Sequence, residues 1–183
     1  MQVGIIGLGR MGENMSRRLI ANGFTTIGYR TSLDKAKEQA QKGYISAAAT
    51  SLKDLVQQTK KQGERGVFLL VVPAQTVEAT LDELIPLCAP GDIIIDHGNS
   101  NFKDTVRRHQ RLQGHQLHYL DCGTSGGVYG LTRGYCLMVG GDQEPVAYCA
   151  SIFETLSPAT DAAPRLLPDK PVTPAEHGWL HCG

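Results

Sequence analysis

The run "GLGRMG" holds Gly7, Leu8, Gly9, Arg10, Met11 and Gly12 directly behind the apolar stretch "VGII". A Gly-x-Gly-x-x-Gly spacing between a strand and a helix suits the cradling of a diphosphate by bare backbone. Gly7 permits the tight turn. Gly9 lets the backbone approach phosphate oxygens with no Cβ in the way, and Gly12 lets the following helix lie close to the sheet. The helix N-terminus then offers unpaired N–H groups and a partial positive charge to the anion. In a chain of 183 residues with 21 glycines the spacing alone is a weak signal, so its meaning depends on its surroundings.

The end of the second apolar run decides which nucleotide such a turn would hold. An acid there binds a ribose 2′-hydroxyl and marks NAD. This chain has "GYRTS", with Tyr29, Arg30 and Thr31 where the acid would stand. A planar guanidinium grips a 2′-phosphate in a fork. Thr31 and Ser32 can add hydroxyls, so the expected cofactor is NADP, with NAD as the alternative. A plainer role for the same residues is compatible with this: Thr31 or Ser32 caps the next helix and Arg30 lies in solvent. Beyond a later apolar run, "VVPAQTV" places Val72, Pro73, Ala74 and Val77 to touch the adenosine or the nicotinamide ribose. An ordinary strand-end turn accounts for them equally well.

The elements that must position these residues alternate. Strands are expected at "VGIIG", "FTTIGY" (24 to 29), "VFLLVVP" (67 to 73), "GDIIIDHG" (91 to 98) and "QLHYLD" (116 to 121). The third of these is apolar on every side, as a strand covered on both faces should be. Between them, helical spacing runs through Met11, Met15 and Leu19 to a stop at Gly23, from Thr31 or Ser32 to Gly43, over 51 to 61 behind Ser51, from Thr76 to about Leu87, and from about Phe102 to Leu112. This order calls for an α/β fold: a Rossmann-type, doubly wound, mostly parallel sheet with right-handed crossovers. Then come a glycine-rich loop, "CGTSGGVYGLTRG", a strand over 135 to 141 and a helix "DQEPVAYCASIFETL". Residues 1–156 are read as the nucleotide-binding domain. Residues 157–183, with five prolines between 157 and 176, are read as an extended connector and the start of an interdomain segment.

Bulk properties narrow the function classes. Lys and Arg balance Asp and Glu at 18 each, which argues against a bulk electrostatic role on nucleic acid or membrane. The basic run "RRHQR" (107 to 111) is read as a solvated helix face. No apolar run reaches the roughly 20 residues of a membrane span, and the N-terminus lacks a signal-peptide pattern, so a cytoplasmic location is expected. The five scattered cysteines, with no Cys-x-x-Cys, fit reduced and mostly buried thiols rather than a disulfide frame or a metal site.

Four stretches carry a more specific signal: "GLGRMGENM", "DHGNSNFKDTVRR" (96 to 108), "DCGTSGGVYGLTRGYCLMVGGD" (121 to 142) and the terminal "HGWLHCG". Together they resemble the 6-phosphogluconate dehydrogenases, particularly the shorter form. The resemblance implies NADP- or NAD-linked oxidative decarboxylation of 6-phosphogluconate to ribulose 5-phosphate, in a homodimer. It implies that Asn99 touches both substrate and nicotinamide, and that Ser125, Gly126 and Gly127 bind substrate. An amide offers donor and acceptor together, and paired glycines expose backbone N–H groups, which suits a hydroxylated acid.

Two departures stand out. His97 takes a place where the family commonly carries glycine; it is either a benign change or one that narrows the cofactor cleft. The family's lysine base, its His-Asn pair, its glutamate acid and its all-helical C-terminal domain are expected beyond Gly183, so no catalytic residue is assigned here. Lys103 and Lys170 do not sit in the matching motif. The chain alone is expected to bind nucleotide, to lack turnover and to expose an apolar patch. Two alternatives remain. One is a β-hydroxyacid dehydrogenase of the 3-hydroxyisobutyrate type, although that superfamily usually shows Asp-x-Ser-Thr where this chain has Asp96-His97-Gly98-Asn99-Ser100. The other is a non-catalytic dinucleotide-binding module.

Overall fold

A computed structural model describes residues 1–60, 64–158, 169 and 171–183. Strand β1 (Gln2–Ile6) leads into helix α1 (Arg10–Ala21), then β2 (Thr25–Tyr29), α2 (Leu33–Gln41), β3 (Ala47–Ala48), α3 (Leu52–Thr59), β4 (Val67–Leu70) and α4 (Ala74–Leu84). A short 3₁₀ turn (Ile85–Leu87) follows, then β5 (Ile93–Asp96), α5 (Phe102–Gly114) and β6 (His118–Ser125). A second 3₁₀ turn (Gly127–Tyr129), α6 (Gly130–Arg133), β7 (Cys136–Gly140), α7 (Gln143–Tyr148), α8 (Ala150–Leu156), α9 (Pro174–His177) and β8 (Trp179–His181) complete the order.

The strands form one sheet in the order β3-β2-β1-β4-β5-β6-β7-β8. Every pairing is parallel except β6 with β7. The chain winds outward from β1 in both directions, so the order reverses between β1 and β4. Ligands of open α/β sheets lie outside the carboxyl ends of the strands at such a point. Apolar side chains cover both faces: Met15, Leu19, Leu69 and Ile95 belong to one core cluster, and Phe68, Leu70, Leu81 and Ile94 to the other. Strand β4 is buried throughout, as its unbroken apolar run requires.

Local signals act where expected. The Gly23 N–H donates to the Ile20 carbonyl and that of Phe24 to Leu19, closing α1 on a left-handed glycine. The Ser51 hydroxyl accepts from the Asp54 amide at 3.1 Å and caps α3. Ser32 stands at the N-cap of α2, but its side chain makes no cap bond.

Several expectations need correction. Strand β3 has only two residues, too few to leave a periodic trace. The region expected as a glycine-rich loop instead extends β6 to Ser125, because antiparallel β7 supplies partners for Gly123, Thr124 and Ser125. The single helix expected after β7 is broken at Cys149. In the proline-rich stretch, Pro174–His177 forms a helix with a Thr173–Glu176 capping box, and Trp179–His181 joins the sheet beside β7. Pro164, Pro168, Lys170 and the Lys61 end of the helix expected over 51 to 61 lie outside the described residues. Of the cysteines only Cys122 and Cys149 are fully buried, while Cys136 and Cys182 are exposed; all five are free. Met138 of β7 and Leu180 of β8 pair in register, and both are exposed. Among the described residues no helix is long and apolar enough to cross a membrane.

Candidate functional site

The fingerprint turn is built by β1 and α1. Gly7 has φ +97°, and a Cβ there would run into the Val71 carbonyl at the end of β4, so glycine is required twice over. Gly12 has no room either: its Cβ would strike the Gly7 carbonyl of the turn itself. Gly9 differs, since a Cβ there would meet nothing within 4 Å. The fold does not need a bare backbone at Gly9, which leaves the open space above it for a ligand. None of the amides of Arg10, Met11 and Gly12 finds an acceptor among the described residues, as befits the first turn of a helix.

A cavity of about 380 Å³ opens at the carboxyl ends of β1, β2 and β4. Gly7, Leu8, Gly9, Tyr29, Arg30, Thr31 and Val72 line it, so one crevice unites the turn, the end of β2 and the end of β4. The far wall comes from elements that no site motif marks. Thr76, Ala79, Thr80 and Glu83 of α4 complete the crevice with Leu52 of α3. Their spacing of three and four residues is the signature of one helix face, and that signal was available. Pro73 and Ala74 stand at the start of α4, outside this lining, as do Arg10, Met11 and Gly12 in the first turn of α1. Val77 has no exposed surface and packs in the core beneath α4.

Arg30 is joined to the turn rather than left in solvent. Its Nη1 donates to the Leu8 carbonyl at 3.2 Å and to Gln39 Oε1 at 3.4 Å. Gln39 Nε2 donates to the same carbonyl at 3.2 Å and to Glu13 Oε2 at 2.7 Å. With the Leu8 carbonyl held on this side, the trans peptide turns the Gly9 N–H to the opposite side. Among the described residues Arg30 has no carboxylate partner. It lines the crevice together with Tyr29 and Thr31.

Asn99 lies away from this cavity, on a turn after β5. It is exposed and adopts a left-handed backbone with φ 50°. Ser125, Gly126 and Gly127 lie at the end of β6, and both glycines also have positive φ. His97 links the two sites. It is buried, and its Nδ1 lies 2.8 Å from Thr124 Oγ1, which donates to the Cys122 carbonyl at 2.9 Å. Its Nε2 is buried and has no hydrogen-bond partner among the described residues. Burial pushes the imidazole pKa down to about 4, against a smaller upward pull from the Asp96 carboxylate. Nothing in the sequence pairs His97 with Thr124, because the contact forms only when β5 and β6 lie side by side.

The basic run at 107 to 111 is more than a solvated face. Arg108 is buried and donates from Nε to Glu78 at 3.0 Å, while Arg107 and Arg111 pair with Glu78 as well. These cations hold Glu78 ionised below its ordinary range although burial opposes it. Among the described residues no group of three or more His, Cys, Asp or Glu could hold a metal ion.

Comparison with known proteins adds a family to this geometry. Residues 2–163 match the family described as the NAD binding domain of 6-phosphogluconate dehydrogenase. The chain is 37% identical over 183 residues to the Bacillus subtilis (strain 168) protein YqeC, itself named after 6-phosphogluconate dehydrogenase; the match covers 100% of this chain and 54% of YqeC. It is 35% identical over 164 residues to the decarboxylating 6-phosphogluconate dehydrogenase 1 of Saccharomyces cerevisiae, covering 88% of this chain and 33% of that one. The fold matches the Plasmodium falciparum 6-phosphogluconate dehydrogenase, solved with NADP+ and with 6-phosphogluconate, at a TM-score of 0.79 and 26% identity, over 90% of this chain and 36% of that one. A Mycobacterium tuberculosis 3-hydroxyisobutyrate dehydrogenase matches at a TM-score of 0.75 and 24% identity, over 85% of this chain and 51% of that one, a likeness of fold alone. The chain therefore spans about half of YqeC and about a third of the yeast and Plasmodium proteins.

Proposed function

The chain belongs to the 6-phosphogluconate dehydrogenase family, whose NAD binding domain it matches, and from that premise we propose that it is the NADP-holding part of an enzyme that oxidatively decarboxylates 6-phosphogluconate. The observation that carries the cofactor reading is the crevice itself: open amides at a helix start, free space over Gly9, and Arg30 just after β2, ion-paired with no carboxylate among the described residues. In this reading the amides of Gly9 to Gly12 receive the diphosphate. Arg30 and Thr31 receive the 2′-phosphate, with Tyr29 beside them. Val72, Pro73 and Ala74 border the ribose.

When bound, the dinucleotide supplies a hydride acceptor. The part of this chain is to place that acceptor and the substrate together. Asn99 offers its amide to both, and the Ser125-Gly126-Gly127 loop offers a hydroxyl and backbone N–H groups to the carboxylate or hydroxyls of 6-phosphogluconate. The base that takes the substrate proton and the acid that returns one are supplied by other parts of the family's longer proteins.

A chimera in which this chain replaces the matching part of YqeC tests the reading. With 6-phosphogluconate and NADP it should form NADPH and release carbon dioxide. Turnover of 3-hydroxyisobutyrate instead would move the chain to the β-hydroxyacid dehydrogenases. Tight cofactor binding with no turnover of either acid would favour a non-catalytic module.

A further inference from the structure

Beneath the exposed Asn99 turn lies a fully buried carboxylate. Asp96 ends β5 with no exposed surface, and each of its oxygens is engaged. Its Oδ1 accepts from the Gly98 amide at 2.8 Å, which closes the chain into a tight turn just before Asn99. Its Oδ2 accepts from the Ser100 hydroxyl at 3.0 Å, just after Asn99, and from the Tyr119 hydroxyl at 2.5 Å. Arg108 Nη1 lies 3.5 Å from the same oxygen and donates to Ser100 Oγ at 2.7 Å. Arg108 is steadied in turn by Glu78 of α4. The carboxylate thus grips Asn99 from both sides along the chain and is anchored to β6 and α5. Asn99 itself has a left-handed backbone, and its side chain makes no hydrogen bond among the described residues. An uncommon backbone state held by a buried, fully paired charge, around a free and exposed amide, is a geometry for presenting that amide.

We propose that Asp96 is a positioning residue: through Gly98, Ser100, Tyr119 and Arg108 it imposes the turn that presents the Asn99 amide to the nicotinamide half of the cofactor. This rests on the reading of the crevice as an NADP site with Asn99 at its nicotinamide end. Asp96 touches no ligand; its effect passes through Asn99. Its removal should therefore weaken only those ligands that reach Asn99.

The test compares NADP with adenosine 2′,5′-bisphosphate, which lacks the nicotinamide half, by calorimetric titration of the 183-residue chain. Asp96→Asn should weaken NADP by about fivefold or more, the scale of one lost hydrogen bond, and leave the bisphosphate unchanged within about twofold. Asn99→Ala should do the same. In the Asn99→Ala background, Asp96→Asn should cost NADP nothing further, because the group it positions is gone. If Asp96→Asn prevents folding, Tyr119→Phe and Ser100→Ala each remove one donor and should shift NADP in the same direction by a smaller factor. Equal weakening of both ligands, no change in NADP, or additive losses in the double variant would overturn the proposal. If the native chain binds neither ligand, the cofactor reading itself falls; if it binds both and the variants leave their ratio unmoved, only the role of Asp96 falls.

Discussion

The guanidinium of Arg30 donates to the backbone carbonyl of Leu8 at 3.2 Å, across 22 positions of sequence. The residue proposed to choose between NADP and NAD is thereby tied to the turn proposed to hold the diphosphate. Gln39 shares that carbonyl, so the link has two strands. Hydrogen bonds from Arg30 and Gln39 to one carbonyl thus fix the guanidinium relative to the glycine turn.

Arg30→Asp is therefore expected to discriminate between cofactors. Loss of a charge-assisted fork to a 2′-phosphate should weaken NADP by about 10-fold to 100-fold. NAD carries no such phosphate and should lose less than about threefold, because Gln39 still holds the Leu8 carbonyl. Parallel titrations with both cofactors check this, and equal losses would contradict it.

Gly9 and Gly12 should fail in different ways. Gly9→Ala adds a methyl that meets no protein atom, at a backbone φ of −72° that alanine adopts freely. Its thermal midpoint should stay within a few degrees, about the shift expected for 1 kcal/mol or less, while NADP affinity falls by about tenfold or more. Gly12→Ala drives a methyl into the Gly7 carbonyl and should destabilise the fold by about 1–3 kcal/mol. Thermal melts with and without NADP separate the two outcomes.

How much of this was legible in the sequence varies with the range of the interaction. The alternation of elements and the parallel sheet were, since each depends on patterns within about ten residues. The two segments that meet in the crevice, the glycine turn and the end of β2, each stand in consecutive positions, though their meeting leaves no such trace. The α4 wall carried a readable helix face, but Thr76, Thr80 and Glu83 are polar and look like any solvated side. The Asp96 grip on Ser100 is local, whereas its bonds to Tyr119 and Arg108 arise only when β6 and α5 pack beside β5. The Trp179–His181 strand was hidden because it is short and follows a proline-rich stretch, and it becomes a strand only by pairing with β7.

His97 should make the fold sensitive to mild acid. Its pKa is lowered from 6.5 to about 4 in the folded chain by burial, so between those values the unfolded chain binds the extra proton. Stability is then unaffected above about pH 6.5, falls as pH drops through the unfolded pKa, and stops falling below the folded one. From pH 7 to pH 5 this one group should remove about 2 kcal/mol. His97→Asn, which cannot take up that proton, should lose correspondingly less over the same range. Urea unfolding of both chains at the two pH values measures the difference, and identical pH profiles would show that the imidazole titrates normally.

The central claim is that a backbone turn and Arg30 together form one NADP site. Calorimetric titration of the native 183-residue chain with NADP and NAD, at equal ionic strength, tests it most directly. Saturable one-to-one binding of NADP, at least about tenfold tighter than NAD, is the predicted result. No binding of either dinucleotide, or tighter binding of NAD, would contradict it.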